Sequence, residues 1–215
     1  KYTLIESNYL RAQQAFQDRD YRIAIDVAKM VQARAPEVLA EAGKLQLEDK
    51  LKIARQNIDT LKLNDADKYA PTFLSEAESR LEDAKTAFGK EEYELVKSLH
   101  KEVRDKIDLA NERLRVHASD QIRDADNAIK DAEDASALLY SGEILQRAQE
   151  LRDDSQKLLD NKHYRDSILQ AQNTITKAQE AKTAAIKRKA ELSLIDAEKY
   201  ISAAVGDGAQ LYATE

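Results

Sequence analysis

The stretch that decides the fold is Glu92–Ala137, EYELVKSLHKEVRDKIDLANERLRVHASDQIRDADNAIKDAEDASA, which holds neither proline nor glycine. Apolar residues recur along it at Leu99, Val103, Ile107, Ala110, Leu114, Ala118, Ile122, Ala125, Ile129 and Ala132, continuing to Ala135 and Leu139. From Leu99 to Leu139 the mean step is about 3.6, the period of a straight α-helix, whereas a left-handed coiled coil keeps about 3.5. The stretch therefore reads as one helix, roughly 65–70 Å long at about 1.5 Å per residue, lying in a bundle.

On either side of this helix the sequence repeats itself. Tyr21, Tyr93 and Tyr164 each follow a polar triplet: Asp18-Arg19-Asp20, Lys90-Glu91-Glu92 and Asn161-Lys162-His163. Phe16, Phe88 and Leu159 stand at one fixed distance ahead of them. Tyr69, Tyr140 and Tyr212 form a second series in step with the first. Two tyrosine ladders sharing a period of about 71–72 residues mark a duplicated unit, the signature of a repeat architecture. The two series bracket short helices at about 70–89 and 142–160, with a partial copy at 4–18. Pro71 and Gly142 stand where such helices start, positions that tolerate a missing N–H or a flexible residue.

Short helices alternating with long ones predict three-helix bundles joined by continuous long helices. The expected fold is all-α, an elongated array of repeats. Its expected divisions are a partial N-terminal repeat at 1–39, bundle repeats at 40–113 and 114–186, and the start of a further repeat at 187–215. Such a rod should have a radius of gyration distinctly above the ~17 Å of a compact chain of this length.

Composition agrees. The 215 residues include only 5 Gly and 2 Pro, too few for the turns of a multi-stranded sheet, and 34% are charged. No segment approaches the roughly 20 apolar residues that span a bilayer. The absence of cysteine removes disulfides, thiol chemistry and zinc–thiolate sites. A net charge of −6 argues against nucleic acid as a partner, which would require a basic face. Lys1 in place of Met, and Tyr212 standing at the onset of another short helix, read as a segment of a longer protein.

Ala12, Ala15, Asp20-Tyr21, Ala24, Ala28, Val31 and Pro36 fall at spacings that resemble a tetratricopeptide helix pair. The large aromatic and the Leu-Gly of that motif are missing, since Asn8 and Arg11 stand there. Later copies lack a counterpart of Pro36, so their second helix is expected to continue where the first one stops. The whole chain resembles the helical, spectrin-like three-helix repeat regions of bacterial cell-envelope proteins, which often accompany LysM modules. That resemblance implies a periplasmic or lipoprotein setting, with contact to peptidoglycan or the outer membrane made by regions outside this segment.

No residue pattern carries chemistry. His100 and His117 share one helix but stand several turns apart, and His163 sits in a turn. Neither arrangement matches a metal-binding pair, so no metal and no cofactor is expected. Gly206-Asp207-Gly208 follows a helix rather than a strand and reads as a helix stop. Carboxylate pairs such as Asp153-Asp154, Glu91-Glu92 and Asp131/Asp134 read as solvated helix faces. The one dense basic run is Lys182 with Lys187-Arg188-Lys189. The tyrosines read as caps on bundle ends, Tyr93 packing beside Phe88 and Tyr164 beside Leu159. No catalytic residue is assigned. The expected function is a non-enzymatic spacer or scaffold with protein partners. The alternatives are a ligand-binding helical domain and a cytoplasmic tetratricopeptide-like peptide receptor.

Overall fold

The computed structural model describes residues 2–206, and among these the protein is all-α. The elements are α1 (Tyr2–Gln17), α2 (Tyr21–Leu63), α3 (Ala66–Tyr69), α4 (Pro71–Gly89), α5 (Tyr93–Asp134), α6 (Ala137–Tyr140), α7 (Gly142–Asp160) and α8 (Tyr164–Gly206). The short helices match the sequence expectation closely, and Pro71 and Gly142 are their first residues.

The turns between the helices share one backbone device. Among the described residues, the non-glycine residues with positive φ are Arg19, Asp65, Glu91, Ser136 and Lys162. Arg19, Glu91 and Lys162 keep the spacing of the first tyrosine series, and Asp65 and Ser136 keep that of Tyr69 and Tyr140. At each of the first three, a short helix ends in the same pair of bonds. Glu91 N donates to Phe88 O at 3.1 Å and Glu92 N to Ala87 O at 3.0 Å. Lys162 N donates to Leu159 O and His163 N to Leu158 O, both at 2.9 Å, and Arg19 and Asp20 do the same with Phe16 and Ala15. This is the Schellman closure, which satisfies orphan carbonyls at the helix end. It normally employs glycine; an L residue there costs about 1–2 kcal/mol.

Two boundaries differ from expectation. The long helix drawn to Ala137 ends at Asp134, because Ser136 (φ 67°) turns the chain into the one-turn helix α6. Asp65 (φ 59°) does the same before α3. Pro36, expected to close the first helix pair, lies inside α2. A proline removes a single N–H, and the helix formers that follow, from Glu37 to Ala42, carry the helix past it.

Contacts divide the chain into two compact units, one within Lys1–Thr60 and Thr72–Ile107, the other within Leu61–Pro71 and Asp108–Glu215. In the first, Leu47, Leu51, Ala54 and Ile58 of α2 are buried, as are Leu74, Ala77, Leu81, Ala84 and Ala87 of α4 and Val96, Leu99, Val103 and Ile107 of α5. Ion pairs cross from α4 to α5, Glu76 to Lys106 at 2.6 Å and Arg80 to Glu102 at 3.1 Å. Lys44 of α2 stands 6.0 Å from the centroid of the Phe88 ring.

In the second unit the apolar stripe of α5 meets α7 and α8. Ala132, Ala137, Leu145, Ala181 and Ala185 form one buried cluster, and Ile122, Ala125 and Ala171 another. Small residues let the helices approach until polar groups bond across the seam. The buried Ser155 and Ser167 exchange bonds, each hydroxyl donating to the other's backbone carbonyl at 2.7 and 2.9 Å. Ser141 Oγ donates to Ala181 O at 2.7 Å. Arg152 of α7 grips Asp126 of α5 through two bonds of 2.7 and 3.0 Å.

Candidate functional site

Two surface features stand out, one in each unit. In the second unit a cleft of about 510 Å³ lies between α5, α7 and the start of α8, with Arg115, Arg123, Arg152, Lys162, Asp126, Asp160 and Tyr164 among its lining. Its guanidinium groups are committed: Arg152 to Asp126, Arg115 to Glu112 at 2.6 and 2.8 Å, and Arg123 to Asp120 at 2.9 Å. Burial pushes the Tyr164 hydroxyl above its ordinary pKa, against the pull of Arg115. The cleft thus sets paired charges around a phenol held in its protonated form.

In the first unit an apolar groove of about 470 Å³ opens on the α1–α2 hairpin, lined by Ala12, Phe16, Tyr21, Ala24, Ile25 and Ala28. Four of these, Ala12, Tyr21, Ala24 and Ala28, belong to the tetratricopeptide-like pattern. Phe16 and Tyr21 meet edge to face at 5.6 Å, yet are 64% and 53% exposed.

The equivalent turns differ in a graded way. Phe88 and Tyr93 keep the edge-to-face contact at 6.0 Å and are half-buried, while Tyr164, near Leu159, is only 4% exposed. In the second series Tyr69 stacks on His117 at 4.2 Å and Tyr140 packs against the Leu145 cluster. Tyr212 lies outside the described residues. The exposed Phe16 and Tyr21 are therefore the exception that the ladder alone did not reveal.

The histidines stay apart. His163 is exposed in its turn, and His100 and His117 are half-buried on α5. Burial lowers the pKa of both, assisted by Lys50 and Arg104 at His100 and by Arg113 and Lys68 at His117, where Asp120 opposes. Among the described residues no group of three His, Cys, Asp or Glu is placed to hold a metal ion. The carboxylates pair with nearby bases, Asp131 with Lys182 and Asp154 with Lys157, both at 2.9 Å. Gly206 is the last residue of α8, and Asp207 and Gly208 lie outside the described residues. Among the described residues no helix is long and apolar enough to cross a membrane.

The described residues thus form an all-α chain with an open apolar groove on one helical hairpin. Residues 49–121 are similar to a family described as a domain of unknown function, DUF4398. That match runs from within α2, through α3 and α4, into α5. No characterised protein and no solved structure matches the chain.

Proposed function

We propose that this protein is a non-enzymatic structural module, a semi-rigid helical spacer or scaffold that displays helix faces to protein partners in a bacterial cell envelope. The observation that carries the reading is the recurrence of the same left-handed closure at Arg19, Glu91 and Lys162, ahead of helices of 43, 42 and 43 residues. A backbone built from copies of one unit has neighbour-to-neighbour stability and a reach set by copy number. The three-helix repeat array belongs to this proposal, as does the envelope setting, which rests on the resemblance of the sequence to envelope repeat regions.

The test is deletion of one period in phase, residues 66–136, which joins Asp65 to Ala137. The shortened chain should remain helical and unfold cooperatively, with reduced reach in scattering. A deletion product that is unfolded would refute the repeat module. Fractionation of the intact protein tests the compartment, and recovery in the cytoplasm would remove the envelope from the proposal. The exposed apolar groove at Phe16 and Tyr21 favours a second reading, a cytoplasmic receptor for a peptide helix laid along that hairpin. Loss of partner capture on substitution of Tyr21, in a chain whose period deletion does not fold, would favour it.

A further inference from the structure

Tyr164 opens α8 as a buried residue, 4% exposed, and it lines the cleft between α5, α7 and α8. A buried tyrosine usually finds a partner for its hydroxyl. This one has none among the described residues, and its oxygen is not closed off from solvent. Burial holds the group protonated at neutral pH, so the cleft is offered a fixed, unused donor.

The full charges around it are spent. Arg152 closes on Asp126, with Asp153 a further 3.7 Å contact, while Arg115 closes on Glu112 and Arg123 on Asp120. Lys162 and Asp160, the lining charges without an ion pair, are opposite in sign. The cleft therefore presents no excess positive charge. What stays open is a mixed set of weaker groups. The Tyr164 hydroxyl and the Lys162 ammonium donate, and the Ser119 hydroxyl does either. Asp160 accepts through its second oxygen, the first taking a 3.0 Å bond from Gln156. Leu159 supplies an apolar side to the cleft and packs against the buried Ile122 cluster. One period earlier its position holds Phe88, whose ring lies beneath Lys44. Leucine omits that ring, and the cleft opens beside it.

We propose that this cleft binds a neutral mono- or disaccharide, whose hydroxyls bond Tyr164, Lys162 and Asp160 while a ring face lies against Leu159. Sugar hydroxyls both donate and accept, which matches a lining of both kinds. An anion would find its guanidiniums already taken, and an apolar ligand would strand the Tyr164 and Asp160 oxygens without partners. The cleft, at about 510 Å³, falls within the ~300–1,000 Å³ of small-molecule sites. This goes beyond the scaffold reading, which stands whether or not a sugar is held.

Amide NMR titration of the isotope-labelled whole chain tests this, with glucose, maltose and chitobiose as probes and glucuronate as the anionic counterpart. At least one neutral sugar should give saturable shifts confined to residues 115–126 and 152–164, with a Kd of about a millimolar or tighter. Tyr164→Phe should weaken that binding about tenfold without lowering the urea midpoint, because the hydroxyl holds nothing in the free protein. Leu159→Phe restores the ring and should abolish the shifts, whereas Tyr93→Phe should change nothing. The proposal is overturned if no neutral sugar gives saturable shifts there, or if glucuronate alone does. Binding that survives Leu159→Phe overturns it too, as does a lowered midpoint for Tyr164→Phe, which would show the hydroxyl already engaged by the protein. None of these failures touches the scaffold reading, which the period deletion tests separately.

Discussion

Truncation of the equivalent tyrosines to alanine should yield three different costs from one chemical change. Tyr164 is 4% exposed, and a buried tyrosine ring covers on the order of 150–200 Å². At about 25 cal/mol per Å², with the cavity left behind, Tyr164→Ala should cost about 3–5 kcal/mol. Tyr93 is half-buried against Phe88, and Tyr93→Ala should cost about half as much. Tyr21 is 53% exposed, and in dilute monomer Tyr21→Ala should cost about 1 kcal/mol or less. Urea titration gives the totals, and native-state hydrogen exchange places them. Tyr164→Ala should deprotect mainly residues 142–186, with 72–107 much less affected, because local opening follows the damaged packing. Equal costs at the three sites, or uniform deprotection along the chain, would refute the graded-burial reasoning and indicate a single cooperative core.

Glycine suits the left-handed Schellman position, so Glu91→Gly and Lys162→Gly should each stabilise by up to about 1 kcal/mol, the relief of strain less glycine's entropy cost; a fall in urea midpoint would contradict this. Pro36→Ala restores an N–H to the interior of α2 and should raise stability, by at most about 3 kcal/mol, with amide protection appearing at residue 36; a helix that stopped at Pro36 would gain nothing. The lowered pKa values of His100 and His117 mean that the folded state binds fewer protons than the unfolded one below about pH 6.5. Stability should therefore decline as the pH falls from about 7 through the folded-state values, and a His100→Gln/His117→Gln variant should flatten that decline. An unchanged slope would remove both imidazoles from the balance.

The short helices and the core face of α5 were legible because each rests on spacing, which tertiary context seldom rewrites. From Leu99 to Ala132 the sequence stripe is the buried stripe, broken only by the half-buried Ile129, and Val96 extends it. Leu139, counted in the same stripe, is 75% exposed because the left-handed turn at Ser136 intervenes. That turn was not legible because neither Ser136 nor Asp65 is a glycine, and a positive φ on an L residue has no strong sequence signal. Pro36 misled for the opposite reason: a strong local signal was overridden by the helix formers around it. The Phe16–Tyr21 groove was half legible. Its residues were visible as a hairpin pattern, but exposure depends on which helix covers them, and that lies outside the hairpin's own sequence.

A spacer must hold its ends apart, and small-angle scattering of the dilute protein measures this most directly. A compact globule of 215 residues would give a radius of gyration of about 17 Å. The spacer proposal predicts a value distinctly larger, with a pair-distance distribution that tails well past the ~63 Å of a single 42-residue helix. A radius near the globular value with a symmetric distribution would contradict it, and would return the ligand-binding reading to the front.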